Sequence, residues 1–543
     1  MTFARELSWT ALIFAALSPA ALAQSRDIAA GFEDITAAKL RADLFFLSSD
    51  AMEGRMSLQR GDDVAIQWIA SEFAKAGLKP LVGDSYLQPV PLIEYKMDRE
   101  RTVLTLRTRG TAHEFRNPDL TGNYPNDGAW TGKVVFAGFG ITAPELKYDD
   151  YAGIDATGKI VLIFADEPQE DDPDSIFNGK GNTRYANARA KMTIARRHGA
   201  AAVLIMPDPN HKPGNRRGGL DAAGTGTQNL RTPRPIQAID GEESIPVLNV
   251  TAKVGEELLA AAGQKGADLQ TSIDKTLKPA SMVLGDAEAE VRVATAERKR
   301  GVSFNVAGMI EGSDPKLRAE TVLFSAHHDH DGTRIDGEIY RGADDNGSGT
   351  VGIVALARAY AKNAVKPKRS LVLVVFAAEE RGLLGGYYYA AHPLRPLEST
   401  VAQINFDMIG RDEKDSNQTH GLIDIASDTS NEVNIIGTRY SPDYRAAVVR
   451  SNELVGLHLN YKWDDDTVLN VLFRSDQYPM LLHDIPAMWW FTGFHPDYHQ
   501  VTDTADKINY GKMEKIVRLA YVSGFEFGNT ATPPKFFPAG APK

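Results

Sequence analysis

The chain contains no cysteine. That absence excludes a disulfide framework, a thiolate zinc site, an iron–sulfur cluster and a cysteine nucleophile, so any metal must be held by His, Asp and Glu. Histidine is itself scarce, with 12 in 543 residues, which makes the position of each one informative. Basic charge is short as well: 60 Lys+Arg face 71 Asp+Glu, a formal net charge of −11. Nucleic acid is therefore not expected as a partner, because phosphate binding wants a basic face. What remains is the 43% hydrophobic and 24% charged composition of an ordinary globular protein, which argues against disorder or a coiled coil. The length suggests about three domains, or two with a large insertion.

Long apolar runs are also lacking. Near the N-terminus Arg5 precedes the apolar stretch Leu12–Leu17, and Ala21–Leu22–Ala23 follows. The stretch falls short of the roughly 18 apolar residues of a membrane span. A charged start, a short apolar core and a small-x-small site read as a signal peptide over residues 1–23. The expectation is an exported chain, periplasmic or extracellular, with no membrane span in its mature form.

Three segments with different textures follow. Asp62 to Ala76 has the periodicity of an amphipathic helix, with Ile66, Ile69, Ala70 and Phe73 on one face and Gly77 as its stop. From about residue 130 to 255 the chain turns to short strand-like runs, Lys133–Phe136, Ile160–Phe164, Ala201–Met206 and Ile245–Val250. One helical stretch, Tyr185–His198, and a long Gly/Pro-rich loop, Pro207–Glu243, lie among them, the pattern of a small β-rich module. After Asn305, apolar strands at Thr321–Ala326, Leu371–Phe376 and Val401–Phe406 alternate with helical stretches such as Ser348–Ala361. That alternation predicts an α/β fold, a mostly parallel mixed sheet flanked by helices. In such sheets the chemistry sits just beyond the carboxyl ends of the strands.

Each of those strand ends runs into unusual polar residues. The first leads to His327–His328–Asp329–His330, the second to Glu379–Glu380, the third to Asp407. Between the first two lies Gly342–Ala343–Asp344–Asp345–Asn346–Gly347–Ser348–Gly349, and near the C-terminus comes His495–Pro496–Asp497–Tyr498–His499 with Asp503 beyond it. Singly, each has an ordinary explanation: a surface loop, a solvated helix start, a turn, a cap. Together they supply imidazole and carboxylate ligands, a carboxylate to bridge two ions, and a free carboxylate to accept a proton from a shared water.

The order Ala326–His327–x–Asp329–His330, Gly342–Ala343–Asp344–Asp345–Asn346–Gly347–Ser348–Gly349, Ala378–Glu379–Glu380–x–Gly382–Leu383–x–Gly385, Asn405–Phe406–Asp407–Met408 and Tyr498–His499–x–x–x–Asp503–Thr504 resembles the secreted double-zinc aminopeptidase family. That family also takes in glutamate carboxypeptidases, glutaminyl cyclases and the catalytically inactive transferrin receptors. The early segment Leu47–Ser48–Ser49–Asp50–x–Met52–Glu53–Gly54–Arg55 is similar to members that carry an inserted protease-associated domain, and Val134–Phe136 with Gly138–Ile141 resembles the opening of that insertion. The resemblance implies a division into residues 24–100 and 276–543 for the zinc peptidase domain and 101–275 for the inserted domain.

It further implies two Zn2+ ions, one held by His327 and Asp407, the other by Glu380 and His499, with Asp345 bridging. Glu379 is then the general base, and Asp329 fixes the tautomer of His327. A cis peptide is implied between Asp345 and Asn346. His328, His330 and His495 match no ligand position and are expected in the pocket wall. Trp489, Trp490, Phe491 and Phe494 suit either an apolar side-chain pocket or a buried strand end. Peptides are the implied substrates, with hydrolysis of N-terminal residues favoured. A carboxypeptidase would need a cationic pocket, for which Arg334, Arg341 and Arg411 are the candidates, and a receptor-like relative would have lost its ligands.

Overall fold

The computed structural model describes residues 28–540, apart from 109, 171, 180, 211–234, 467 and 468. The expected signal peptide and most of the Pro207–Glu243 loop lie outside the described residues. Among the described residues, no helix is long and apolar enough to cross a membrane.

Two large sheets carry the chain. The larger has ten strands, with Ser370–Phe376, Thr321–His327, Thr400–Phe406 and Ala487–Phe491 side by side and parallel at its centre. Every residue of Thr321–His327 and Ser370–Phe376 is buried, as unbroken apolar runs covered on both faces require. Antiparallel strands close the sheet on each side: Thr295–Ile310, Leu87–Met97 and Ile236–Ile239 on one, Glu432–Ile436 on the other. The three expected strands and the helix Gly349–Lys362 thus stand within a residue or two of where periodicity puts them.

The order of the central strands decides where the site lies. From Thr321–His327 the chain crosses through Gly349–Lys362 to the neighbour on one side, Ser370–Phe376. It then crosses through Leu384–Ala391 to Thr400–Phe406 on the other side. Right-handed crossovers in opposite directions place their helices on opposite faces of the sheet. Accordingly, the first helix packs in the core with Val322, Phe324 and Ala326, and the second in the core with Leu323, Val374 and Phe376. The crevice opened by this reversal lies at the carboxyl end of the His327 strand.

The smaller sheet has eight strands, with Ile160–Phe164 parallel to both Gly128–Phe136 and Ala202–Met206, and the helix Ala188–Arg197 beside them. Met282–Val293, past the expected limit at residue 275, belongs to this sheet and pairs with Val103–Thr108 and Gly128–Phe136. Only Ala294 separates it from Thr295–Ile310 of the larger sheet, so no Gly or Pro in the sequence announces the change. Conversely, Ile236–Ile239, inside the expected insertion, adds to the edge of the larger sheet beside Leu87–Met97.

Candidate metal centre

His327 closes its strand, and the buried Nε2 of its ring has no hydrogen-bond partner. Around that atom stand Asp345 Oδ1 at 3.5 Å, Asp407 Oδ1 at 3.5 Å and Glu379 Oε2 at 3.6 Å. Donors about 2.0–2.1 Å from a tetrahedral ion lie about 3.3 Å from one another. The spacing is therefore that of atoms facing a common cation. The other oxygen of Asp345, Oδ2, is 2.9 Å from His499 Nε2, which is 3.3 Å from Glu380 Oε2. Asp345 thus turns one oxygen toward each imidazole. Two imidazoles with four carboxylates and no thiolate make a donor set that zinc accepts.

Local structure explains how these groups converge. Glu379 and Glu380 sit in a single 3-10 turn directly after their strand, preceded by Ala378 with a left-handed backbone. Both Asp329 oxygens bind this turn, Oδ1 accepting from Glu379 N–H at 2.9 Å and Oδ2 from Glu380 N–H at 3.2 Å. The same carboxylate stands 3.7 Å from His327 Nδ1, whose nearer neighbour is the Asp329 carbonyl at 3.2 Å. The peptide between Asp345 and Asn346 is cis. Asp503 accepts from the Asp344 N–H at 2.9 Å and the Asp345 N–H at 3.1 Å, and so fixes the turn that presents Asp345. Ser475 donates to Asp407 Oδ2 at 2.6 Å, the outer end of a buried chain through Asn405 and Ser325.

Burial pushes the Glu379 carboxyl well above its usual range, against the pull of His327. Burial acts on Glu380 in the same direction, but His499 and His330 outweigh it and hold that carboxylate well below its usual range. Two adjacent glutamates are thereby driven apart in proton affinity. Divergence of that kind marks different roles for paired carboxylates.

All six residues expected to hold or serve the ions converge here, with Asp329 directly behind them. Of the three histidines expected in the wall, His330 stands closer to the centre than that, with Nδ1 2.7 Å from Glu380 Oε1. His328 faces away toward Asp62, and His495 lies 3.3 Å from Asp344. Trp489, Trp490, Phe491 and Phe494 are all buried, and Trp489 Nε1 donates to the Asp407 carbonyl, so this cluster is a packed strand end and not an open pocket. The three arginines considered for a carboxylate pocket already face acids: Arg334 meets Asp336, Arg341 meets Asp50, and Arg411 meets Asp497. Sequence reasoning gave Asp503 no task, although it sits in the last motif block, and it assigned none to Ser475.

Residues 305–523 match peptidase family M28, and residues 130–258 match the PA domain. The C-terminal domain is that of peptidase family M28. The M28 domain holds every residue of the centre just described, and the PA match covers the strands Ile160–Phe164, Ala202–Met206 and Val247–Val250 of the smaller sheet. Among curated proteins, the chain is 25% identical over 431 residues to the probable lipoprotein aminopeptidase LpqL of Mycobacterium tuberculosis, covering 76% of this chain and 69% of that one. It is 28% identical over 214 residues to YfbL of Escherichia coli, covering 36% and 64%, and 30% identical over 130 residues to aminopeptidase YwaD of Bacillus subtilis, covering 23% and 27%. The chain thus spans less than two thirds of the length of two of these three relatives. Of solved structures, the aminopeptidase from Aneurinibacillus sp. strain AM-1 aligns with a TM-score of 0.46 at 20% identity, covering 94% of this chain and 97% of that one.

Proposed function

We propose that the chain is an exported aminopeptidase that removes N-terminal residues from peptides with a pair of zinc ions and Glu379 as general base. The observation that carries this reading is the division of Asp345, one oxygen 3.5 Å from the His327 imidazole and the other 2.9 Å from that of His499. His327 and Asp407 would hold one zinc and Glu380 and His499 the other, with Asp345, which turns an oxygen toward each imidazole, shared between them. Bound there, the ions supply Lewis acidity to the attacking water and to the scissile carbonyl. Glu379, free of a ligand's duty and raised in proton affinity by burial, takes the proton of that water and passes it to the leaving amine. Asp329 accepts from the backbone N–H of both glutamates and so fixes the turn from which Glu380 would hold a metal and Glu379 would serve as base.

The M28 match supports peptide hydrolysis, and the relatives named as aminopeptidases favour the N-terminal end of the substrate. The pairing of Arg334, Arg341 and Arg411 with acids weighs against the carboxypeptidase alternative. Retention of all the ligands and the base weighs against a receptor-like relative. Export rests on the N-terminal sequence. Hydrolysis rates on matched peptides with free and N-acetylated N-termini test the reading. Cleavage of the free series alone is expected, and equal rates on both series exclude an aminopeptidase.

A further inference from the structure

The segment around Leu47–Arg55 lies far outside residues 305–523, yet it grips the backbone that carries the metal ligands. Arg55 is fully buried. Its guanidinium donates to four carbonyls: His328 at 2.8 Å, Leu47 at 2.9 Å, Arg341 at 2.7 Å and Gly342 at 2.8 Å. Its own carbonyl accepts from His330 N–H, and that of Gly54 accepts from Gly332 N–H. One side chain therefore ties the strand end that bears His327 and Asp329 to the turn that leads into Asp345.

Two features set this apart from ordinary packing. First, among the described residues no carboxylate is a hydrogen-bond partner of the guanidinium, although Asp329, Asp345 and Asp503 lie near enough to favour its charge. Four carbonyls in different directions match the planar fan of five N–H donors that only arginine offers, where lysine has three on one atom. Second, Glu53, Gly54 and Arg55 are consecutive left-handed residues, with φ of 50°, 72° and 50°. Such a run is unfavourable for L-residues and persists where surrounding contacts over-determine it. A Cβ on Gly54 would stand 2.3 Å from the Gly332 carbonyl oxygen, so this approach admits no side chain.

We propose that Arg55 is a positioning residue for the metal pair, setting the distance between the His327 strand end and the Asp345 turn. The proposal rests on the zinc reading above. Asp62 reinforces the brace, standing 2.7 Å from His328 Nδ1 while Ser303 Oγ donates to its other oxygen at 2.9 Å. A matched control exists at the opposite end of the same strands. Arg369 is equally buried and donates to the Phe527 and Thr530 carbonyls beside its contact with Glu320, remote from every ligand.

Arg55→Lys, Arg55→Ala and Arg369→Lys in the full chain test the proposal, read by zinc affinity in chelator competition, by the absorption of the cobalt-substituted protein, and by kcat and KM. Arg55→Lys is expected to lose about 10- to 100-fold in affinity for at least one ion, as groups behind metal ligands generally do. Its cobalt spectrum should change, and kcat should fall with KM unaltered. Arg55→Ala should behave alike and recover affinity with added guanidinium but not methylammonium. Arg369→Lys should melt lower while binding zinc as wild type does. Wild-type zinc affinity and cobalt spectrum in Arg55→Lys overturn the proposal, as does an equal loss of affinity in Arg369→Lys. A wild-type protein that holds fewer than two zinc ions overturns the zinc reading itself, a result separable from any variant.

Discussion

A buried cluster of charge in the PA domain and another in the M28 domain are finished differently. In the PA domain, Lys191 donates to the carbonyls of Phe139, Phe164 and Asp166. Asp150 accepts from the N–H groups of Phe139 and Ile141 and from the Tyr148 hydroxyl, and Glu167 accepts from the amide and hydroxyl of Thr183. In the M28 domain, His327 Nε2 faces three carboxylate oxygens with no hydrogen bond to any of them. Burial does not distinguish the two clusters. Closure does: a buried charge with hydrogen-bond partners on every side holds a fold together, whereas buried imidazole and carboxylate atoms spaced 3.5–3.6 Å apart have the spacing of donors to a common cation.

Metal removal should break this comparison most severely. A chelator is expected to abolish hydrolysis and to lower the melting temperature of the M28 domain, because six carboxyl and imidazole groups lose what they converge upon. Zinc or cobalt should restore both. Two zinc ions per chain are expected by metal analysis, and full activity at one equivalent would rule out bridging by Asp345.

Next in size come the paired glutamates. Glu379→Gln should keep both ions and the fold while turnover falls by about 10²- to 10⁴-fold, since a carboxamide accepts no proton. Glu380→Gln should instead weaken one zinc. If both variants bind metal normally and stay active, the division of roles between the two residues is wrong.

A substitution in the other cluster should do the reverse. Lys191→Met leaves three carbonyls and the Asp150 carboxylate without their cation, a change that destabilises by about 3–5 kcal/mol when a buried charge loses its partner. Zinc content and turnover on a one-residue amide should stay at wild-type values in the native protein. A matching loss of zinc would mean that the two clusters are coupled, contrary to their separate closure.

How much of this is legible in sequence follows from the range of each signal. The central strands announce themselves as apolar runs, and the polar residues of the candidate site follow those runs at once, so Thr321–His327 with Glu379, Glu380 and Asp407 can be read locally. Sheet membership at Ile236–Ile239 and Met282–Val293 cannot, because each choice depends on an edge formed by residues more than a hundred positions away. The same holds for groups that act through backbone amides and carbonyls. Asp503 reaches Asp345 across 158 positions and Arg55 reaches Gly342 across 287, and no spacing rule encodes such contacts. His330 shows a subtler gap, since a pattern that assigns ligands by position has no place for a neighbour that touches one of them.

A pH dependence is also expected in the PA domain, and its sign follows from shifts of two opposite kinds. Burial raises Glu167 from its ordinary 4.5 to about 8 against its bonds to Thr183, and raises Asp150 from 3.8 to about 7. Where a folded carboxyl holds its proton more tightly than the unfolded one, folding takes up protons, and stability is lost as pH rises through that window. Burial lowers Lys191 from 10.5 to about 8, so between those values the unfolded chain is the more protonated and stability rises with pH. The PA domain should therefore be least stable near pH 8, gaining on the acid side through Glu167 and Asp150 and on the alkaline side through Lys191. Amide exchange along Ile160–Phe164 and Ala202–Met206 in the full chain reads this domain apart from the metal centre. Glu167→Gln, which keeps an acceptor for Thr183 but has no proton to lose, should flatten the acid limb and leave the alkaline one intact. An acid limb of unchanged steepness in that variant would assign the proton to Asp150 alone.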